Sequence, residues 1–172
     1  MTYKYFFFDF DGMLCDSYTH TTKAFVKTLQ ETRGVRINEK EAYDYLKITF
    51  GDAFAHFNVT EEEKKLFAIY HEDLSFKPEA TLYLETIKIL KSIIESGGKN
   101  FIYTNRGPTL YEYLEKFNIG QYFTDIIIRA NKPDPTPLIE MISKYNLNKS
   151  ECVVVGDRSI DVDGAYNAKI DG

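Results

Sequence analysis

Four short apolar runs, Tyr3 to Phe8, Asn100 to Thr104, Asp125 to Ile128 and Cys152 to Val155, lack the polar alternation of a half-exposed sheet. They predict strands buried on both faces. Helical patterns precede the last three. In Glu79 to Ser96 the residues Leu82, Leu90, Ile93 and Ile94 share one side, and the pattern stops at Gly97 and Gly98. Pro108 to Phe117 carries proline in its first turn and Gly120 beyond its end, and Thr136 to Tyr145 opens on a threonine cap and Pro137. Strands alternating with helices predict an α/β fold, a doubly wound parallel sheet with helices on its faces.

Between the first and second runs lie about 60 residues with helix signals and no strand signal, too many for one crossover. Thr19 to Arg33 reads as a helix ended by Gly34, and Asn38 with Glu41 and Thr60 with Glu63 have capping-box spacing. The expected organisation is an α/β core of residues 1–17 and 77–172, interrupted by a helical subdomain of residues 18–76. The segment around Pro78 returns the chain to the sheet. Glu61, Glu62 and Glu63 with Lys64 and Lys65 read as an exposed helix start whose acids suit the dipole, and Phe25, Leu29, Tyr45, Phe54 and Phe57 as the insert's own core.

A chain of 172 residues with 44% hydrophobic positions can bury a sizeable core without a metal or disulfide staple. The net charge of -5 offers no basic field for polyanions, so nucleic-acid binding is disfavoured. The apolar run near the start is cut at Asp9, far short of a signal-peptide core or a spanning helix, and the expectation is a cytoplasmic protein with no membrane partner. Cys15 falls past the end of one strand and Cys152 at the start of another, so they are expected at opposite ends of the sheet and reduced.

In an open parallel sheet ligands bind beyond the carboxyl ends of the strands. Every such end here is polar: Asp9-Phe10-Asp11-Gly12, Thr104-Asn105-Arg106, Lys132-Pro133-Asp134-Pro135, and Gly156-Asp157-Arg158-Ser159-Ile160-Asp161. Each signal alone has a bland reading, as a turn, a loop opener, a solvated loop lysine or a helix cap. Their joint placement points to a site. Four carboxylates in one crevice repel strongly at low dielectric, so compensating cations are required, and a divalent ion with Lys132 is the expected pair.

On these residues the chain resembles the haloacid dehalogenase superfamily, in its phosphoglycolate-phosphatase-like branch. Asp9 through Leu14 matches that family's first motif, Thr104-Asn105 its second, Lys132-Pro133 its third and Gly156-Asp157 through Asp161 its fourth, in family order over nearly the whole chain. The helical insert lies where the family's C1-type cap lies, and the core is Rossmann-like. The resemblance implies a phosphatase acting on a small phosphorylated metabolite through an aspartyl phosphate. Asp9 is then the nucleophile and Asp11 the acid and base. Thr104, Asn105 and Lys132 hold the phosphoryl oxygens, and Mg2+ is held by Asp9, the backbone carbonyl of Asp11 and Asp157, with Asp161 ligating it or orienting a bound water.

The resemblance also implies a mobile flap from Met13 to Ser17, with Gly12 permitting the turn, and cap closure over the substrate. His20, Lys23 and a loop Phe50-Gly51-Asp52 are the cap candidates for specificity, with His20 alternatively a solvated residue of the first cap turn. His56 and His71 receive no role. Two departures stand out: the short link Arg129-Ala130-Asn131 implies a tight approach of Lys132, and the chain ends where the family's pattern continues into another strand and helix, which leaves Cys152 to Val155 as an expected apolar edge. The presence of Asp11 argues against a dehalogenase or phosphonatase. A sugar phosphomutase of the same fold, a phospho-acceptor signalling module and a non-catalytic binding module remain alternatives, as do monomer and homodimer.

Overall fold

The computed structural model describes residues 3–73 and 80–172. Backbone contacts divide the chain into two units, Met1–Cys15 with Leu82–Gly172, and Asp16–Thr81. The expected boundary at Phe76 and the return at Pro78 lie outside the described residues. Two short strands, β2 (Cys15–Asp16) and β3 (Thr81–Leu82), form a two-stranded sheet at the crossings between the units.

The first unit carries a four-stranded parallel sheet built from β1 (Tyr5–Phe8), β4 (Lys99–Tyr103), β5 (Asp125–Ile127) and β6 (Cys152–Val155), in the order β5-β4-β1-β6. Phe7 pairs in register with Phe101 on one side and Val154 on the other. Helices α5 (Thr86–Glu95), α6 (Leu110–Phe117), α7 (Thr136–Lys144) and α8 (Ser159–Ala168) complete the unit.

The two faces separate by strand parity. Phe7, Phe101 and Tyr103 join Leu138, Met141, Ile142, Ala165 and Ala168 of α7 and α8 in one cluster. Asn100, of opposite parity on β4, turns the other way and donates Nδ2 to the Leu90 carbonyl of α5 at 3.0 Å. Helices therefore cover both faces, as the alternation of the sequence predicts. Gly164 lets α8 close on the sheet, since a Cβ there would stand 2.5 Å from the Tyr103 hydroxyl.

The helix expected from Glu79 starts only at Thr86, because Thr81–Leu82 is extended and the Thr86 Oγ1 bonds the Leu14 carbonyl at 3.1 Å. The helix expected from Pro108 begins at Leu110. Thr136 does not cap α7 by its side chain; Asp134 Oδ1 accepts from its backbone N–H at 2.9 Å instead. At the end of the sheet, the Val154 N–H donates to the Asp171 carbonyl at 2.8 Å, so the β6 edge is partly paired. Cys15 and Cys152 are both buried thiols, and burial pushes Cys152 up to about 11.

The second unit is helical: α1 (Tyr18–Arg33), α2 (Glu39–Ile48), α3 (Phe50–His56) and α4 (Glu61–Glu72). Gly34 ends α1 in the left-handed region at φ 66°. Its core gathers Phe25, Leu29, Leu46 and Phe67 with Tyr45, Phe54 and Phe57 packed against them. Thr60 and Glu63 form a full capping box on α4, whereas Asn38 caps α2 alone because Glu41 turns to His56 at 2.8 Å. Glu63 does more than close its own helix. Its oxygens also take Arg33 Nε at 2.7 Å, Arg33 Nη2 at 2.6 Å and Thr32 Oγ1 at 2.8 Å, which ties α1 to α4.

Candidate functional site

Asp9 follows β1 directly, and its N–H donates to the Val155 carbonyl at 2.9 Å, extending the ladder to β6 by one bond. The side chain is fully buried. Oδ1 accepts from the Phe10 N–H at 2.7 Å and pairs with Lys132 Nζ at 2.9 Å, and Oδ2 faces Arg158 Nη2 at 3.5 Å. Burial pushes the Asp9 carboxyl above the ordinary carboxylate range; Lys132 opposes this, Asp161 and Asp11 reinforce it, and Arg158 opposes it more weakly.

The turn after Asp9 needs a left-handed residue, and Gly12 supplies it at φ 80°. Its N–H donates to the Cys15 carbonyl at 2.8 Å, while the Leu14 and Cys15 N–H groups both donate to the Phe10 carbonyl. Asp11 thereby projects from a tight loop, and its carboxylate is gripped by Arg106, with Nη2 2.6 Å from Oδ1.

Past β4, Thr104 is buried, donates its N–H to the Ile127 carbonyl at 3.0 Å and accepts at Oγ1 from the Arg106 N–H at 3.1 Å. Asn105 is exposed, and its Oδ1 accepts from the Lys132 N–H at 2.9 Å. The short link from β5 is tied down: Arg129 N–H donates to the Arg106 carbonyl and Ala130 N–H to the Thr104 carbonyl. Arg129 and Asn131 reach this path in the left-handed region, at φ 49° and 54°. The result is the tight approach that the shortness of the link implies. Lys132 Nζ reaches both Asp9 and Asp161, 4.6 Å over the Tyr103 ring.

Past β6, Gly156 passes so close to Asp161 that a Cβ would overlap its carboxylate. Asp161 sits in the first turn of α8, fully buried, with Oδ2 accepting from the Arg158 N–H at 3.1 Å. Asp157 is exposed. One carboxylate oxygen from each of Asp9, Asp157 and Asp161 lies within 4.8 Å of the others. A hard oxygen set with two buried members and one open to solvent fits a hard divalent cation that keeps positions for water or phosphate.

The fold thus brings Asp9, Lys132, Asp157 and Asp161 together, with Asp11, Thr104 and Asn105 on the adjoining strand ends. Arg106 and Arg158 also belong to the cluster, and the sequence reading gave neither a role. Charge counting held the signal: four carboxylates against Lys132 leave a deficit that an arginine on each of two strand ends, Arg106 and Arg158, reduces.

The cap candidates need correction. His20 is buried rather than solvated, with Nε2 3.0 Å from the His71 carbonyl oxygen. Phe50-Gly51-Asp52 is the first turn of α3 rather than a loop; Asp52 takes part in the Thr49 cap and Phe50 packs on the core. Lys23 is exposed and lines a cavity of about 250 Å³ with Thr19, Thr22, Glu39, Lys40 and Tyr43. His71, given no role, accepts or donates at Thr21 Oγ1 across 3.2 Å, and His56 stacks on Tyr45 at 3.8 Å.

Comparison with known proteins follows the same pattern. Residues 6–172 match the family model described as haloacid dehalogenase-like hydrolase. The chain is 27% identical to the pyrophosphatase PpaX of Halalkalibacterium halodurans, over 95% of this chain and 79% of that protein. It is 25% identical to the phosphoglycolate phosphatase of Vibrio parahaemolyticus, over 94% of this chain and 78% of that protein. Among solved structures, a haloacid dehalogenase-like family hydrolase from Streptococcus pneumoniae superposes with a TM-score of 0.83 at 21% identity, covering 98% of this chain and 82% of the other. No described helix is long and apolar enough to cross a membrane.

Proposed function

The chain belongs to the haloacid dehalogenase-like hydrolase family, and from that premise we propose that it is a Mg2+-dependent phosphatase releasing phosphate from a small phosphomonoester through an aspartyl phosphate. The observation that carries the reading is Asp9. A fully buried carboxylate at the end of the central strand, with cations on both oxygens and two further carboxylates within 4.8 Å, has little structural purpose. It has an evident chemical one.

An Asp9 oxygen attacks phosphorus, and the bond to the leaving oxygen breaks with its electron pair passing to that oxygen, which takes a proton from Asp11. Water then attacks phosphorus and gives a proton to Asp11, and the pair of the breaking bond returns to Asp9. Thr104, Asn105 and Lys132 orient the phosphoryl oxygens, Lys132 as a charge already fixed before substrate arrives. Asp9, the Asp11 carbonyl, Asp157 and Asp161 would hold the metal ion, which when bound supplies positive charge against the anionic substrate. The curated relatives are named for a pyrophosphatase and a phosphoglycolate phosphatase, which supports a small phosphorylated substrate.

The test is phosphate release from p-nitrophenyl phosphate and a panel of small phosphomonoesters, with Mg2+ and with EDTA, for wild type and Asp9→Asn. Turnover that requires the metal and disappears in the variant is expected. Metal-independent turnover, or turnover that survives Asp9→Asn, would overturn the reading.

A further inference from the structure

Asp11 is held in a fixed attitude by Arg106. Arg106 Nε lies 2.9 Å from Oδ2 and 3.1 Å from Oδ1, and Nη2 lies 2.6 Å from Oδ1, so both oxygens are gripped. The arginine side chain has no solvent exposure, whereas that of Asp11 keeps 20%. The grip is itself supported. The guanidinium carbon stands 4.9 Å over the Tyr113 ring, and that ring packs on Phe10 at 5.6 Å, the residue between Asp9 and Asp11. The Arg106 backbone is pinned at both polar atoms, by Thr104 Oγ1 and by the Arg129 N–H. An exposed ion pair of two long side chains loses most of its worth to ordering entropy. Here the fork is ordered by its surroundings and presents its donors in one direction.

Gripped at both oxygens, the Asp11 carboxylate is fixed in direction, and with 20% of its side chain open to solvent it can be met by a water molecule. Resting on the aspartyl-phosphate reading above, we infer that Arg106 is a positioning residue for the second half-reaction: it orients Asp11 toward the water that cleaves the phosphoenzyme. The water oxygen bonds to phosphorus while the phosphorus bond to Asp9 breaks, its electron pair returning to the Asp9 carboxylate. The water proton passes to Asp11, and inorganic phosphate leaves. Arg106 neither gives nor takes a proton; it sets the direction of the carboxylate that does.

The experiment is rapid mixing with p-nitrophenyl phosphate in Mg2+, whose leaving group departs without an acid, so only the second half-reaction still needs Asp11. The readout is the ratio of the nitrophenolate burst rate to the steady-state rate, which does not depend on the folded fraction. Acid quench with labelled substrate measures trapped phosphoenzyme. For Arg106→Gln the ratio is expected to rise roughly tenfold or more, with label trapped on the protein. Arg106→Lys, which keeps charge but loses the fork, falls between it and wild type. Tyr113→Leu, which removes the supporting ring and leaves the pair intact, shifts the ratio in the same direction and covers the case in which Arg106→Gln does not fold. A slowed steady state with an unchanged ratio and no trapped label would overturn the inference and make Arg106 a residue of fold or substrate binding. Asp11→Asn separates the two readings. If it traps label and the Arg106 and Tyr113 variants do not, only the Arg106 role fails; if it too traps none, the aspartyl-phosphate reading fails.

Discussion

The ammonium of Lys132 stands 2.9 Å from Asp9 Oδ1, and both side chains are shut off from solvent. Asp161, equally buried, pairs with the same ammonium. One cation therefore separates two carboxylates that would repel strongly in so dry a setting. Removing one partner of a buried pair costs more than the pair itself contributes, because a charge is left without compensation. Lys132→Met keeps most of the volume and is expected to lower stability by about 3–5 kcal/mol in metal-free buffer, read by urea titration at neutral pH. Adding Asp161→Asn should recover part of that loss. A single variant as stable as wild type would mean that the charge is compensated by some other group.

Asp157 is the exposed member of the acidic set, and on the proposed reading its loss weakens the hold on the ion. A ligand that binds the folded state alone stabilises it by about 2.7 kcal/mol at a hundred times its dissociation constant. Wild type is expected to melt later as Mg2+ is added. Asp157→Asn should match wild type in EDTA to within about 0.5 kcal/mol. It should also need roughly tenfold more Mg2+ for the same stabilisation, a loss of about 1.4 kcal/mol in binding. Equal Mg2+ titrations for the two proteins would remove Asp157 from the metal site.

Much of the core was legible because its signals are local. Phe7, Phe101 and Val154 lie in short apolar runs, and their length and the turn signals that bound them mark buried parallel strands. Asp9, Lys132 and Asp161 were legible as polar residues just beyond such runs. Three of the misreadings share a cause, a partner remote in sequence. Arg106 finds Asp11 95 positions away, and the charge count that called for such a cation did not say which carboxylate it would meet. Thr86, placed mid-helix by its periodicity, begins α5 because its hydroxyl bonds Leu14 across 72 positions. His20 looked like a surface residue of a first turn until the His71 carbonyl, 51 positions on, supplied its partner.

Glu63 offers a pH test confined to the helical unit. Its hydrogen bonds from Arg33, aided by Thr60 and Thr32 and opposed by burial, bring its pKa down from 4.5 to about 2. A depressed carboxyl pKa contributes stability above the unfolded value, and that contribution is lost as pH falls through the window between 4.5 and about 2. Glu63→Gln keeps the shape but not the charge, and is expected to cost about 1–2 kcal/mol at neutral pH. The variant should also lose less stability than wild type over that acid window, measured by urea midpoints at stepped pH. Parallel curves would show that Arg33 and Glu63 stay paired to no energetic effect.

Gly156 is required for its missing side chain rather than its backbone freedom. It has no positive φ, yet a Cβ there would fall inside the Asp161 carboxylate. The obstacle in Gly156→Ala is a short buried side chain, already fixed by Lys132 and by the Arg158 N–H, so either Asp161 turns away or the strand end shifts. Either movement displaces a group of the cluster by about an ångström, and misplacement of that size costs catalysis about a hundredfold. The expected result is a folded protein whose activity falls by about that factor and whose Mg2+ stabilisation weakens with it. On the proposed reading Asp161 serves both the ion and Lys132, so the two losses should move together. Activity that falls while Mg2+ stabilisation stays at the wild-type level would mean that Asp161 serves Lys132 alone and does not hold the metal.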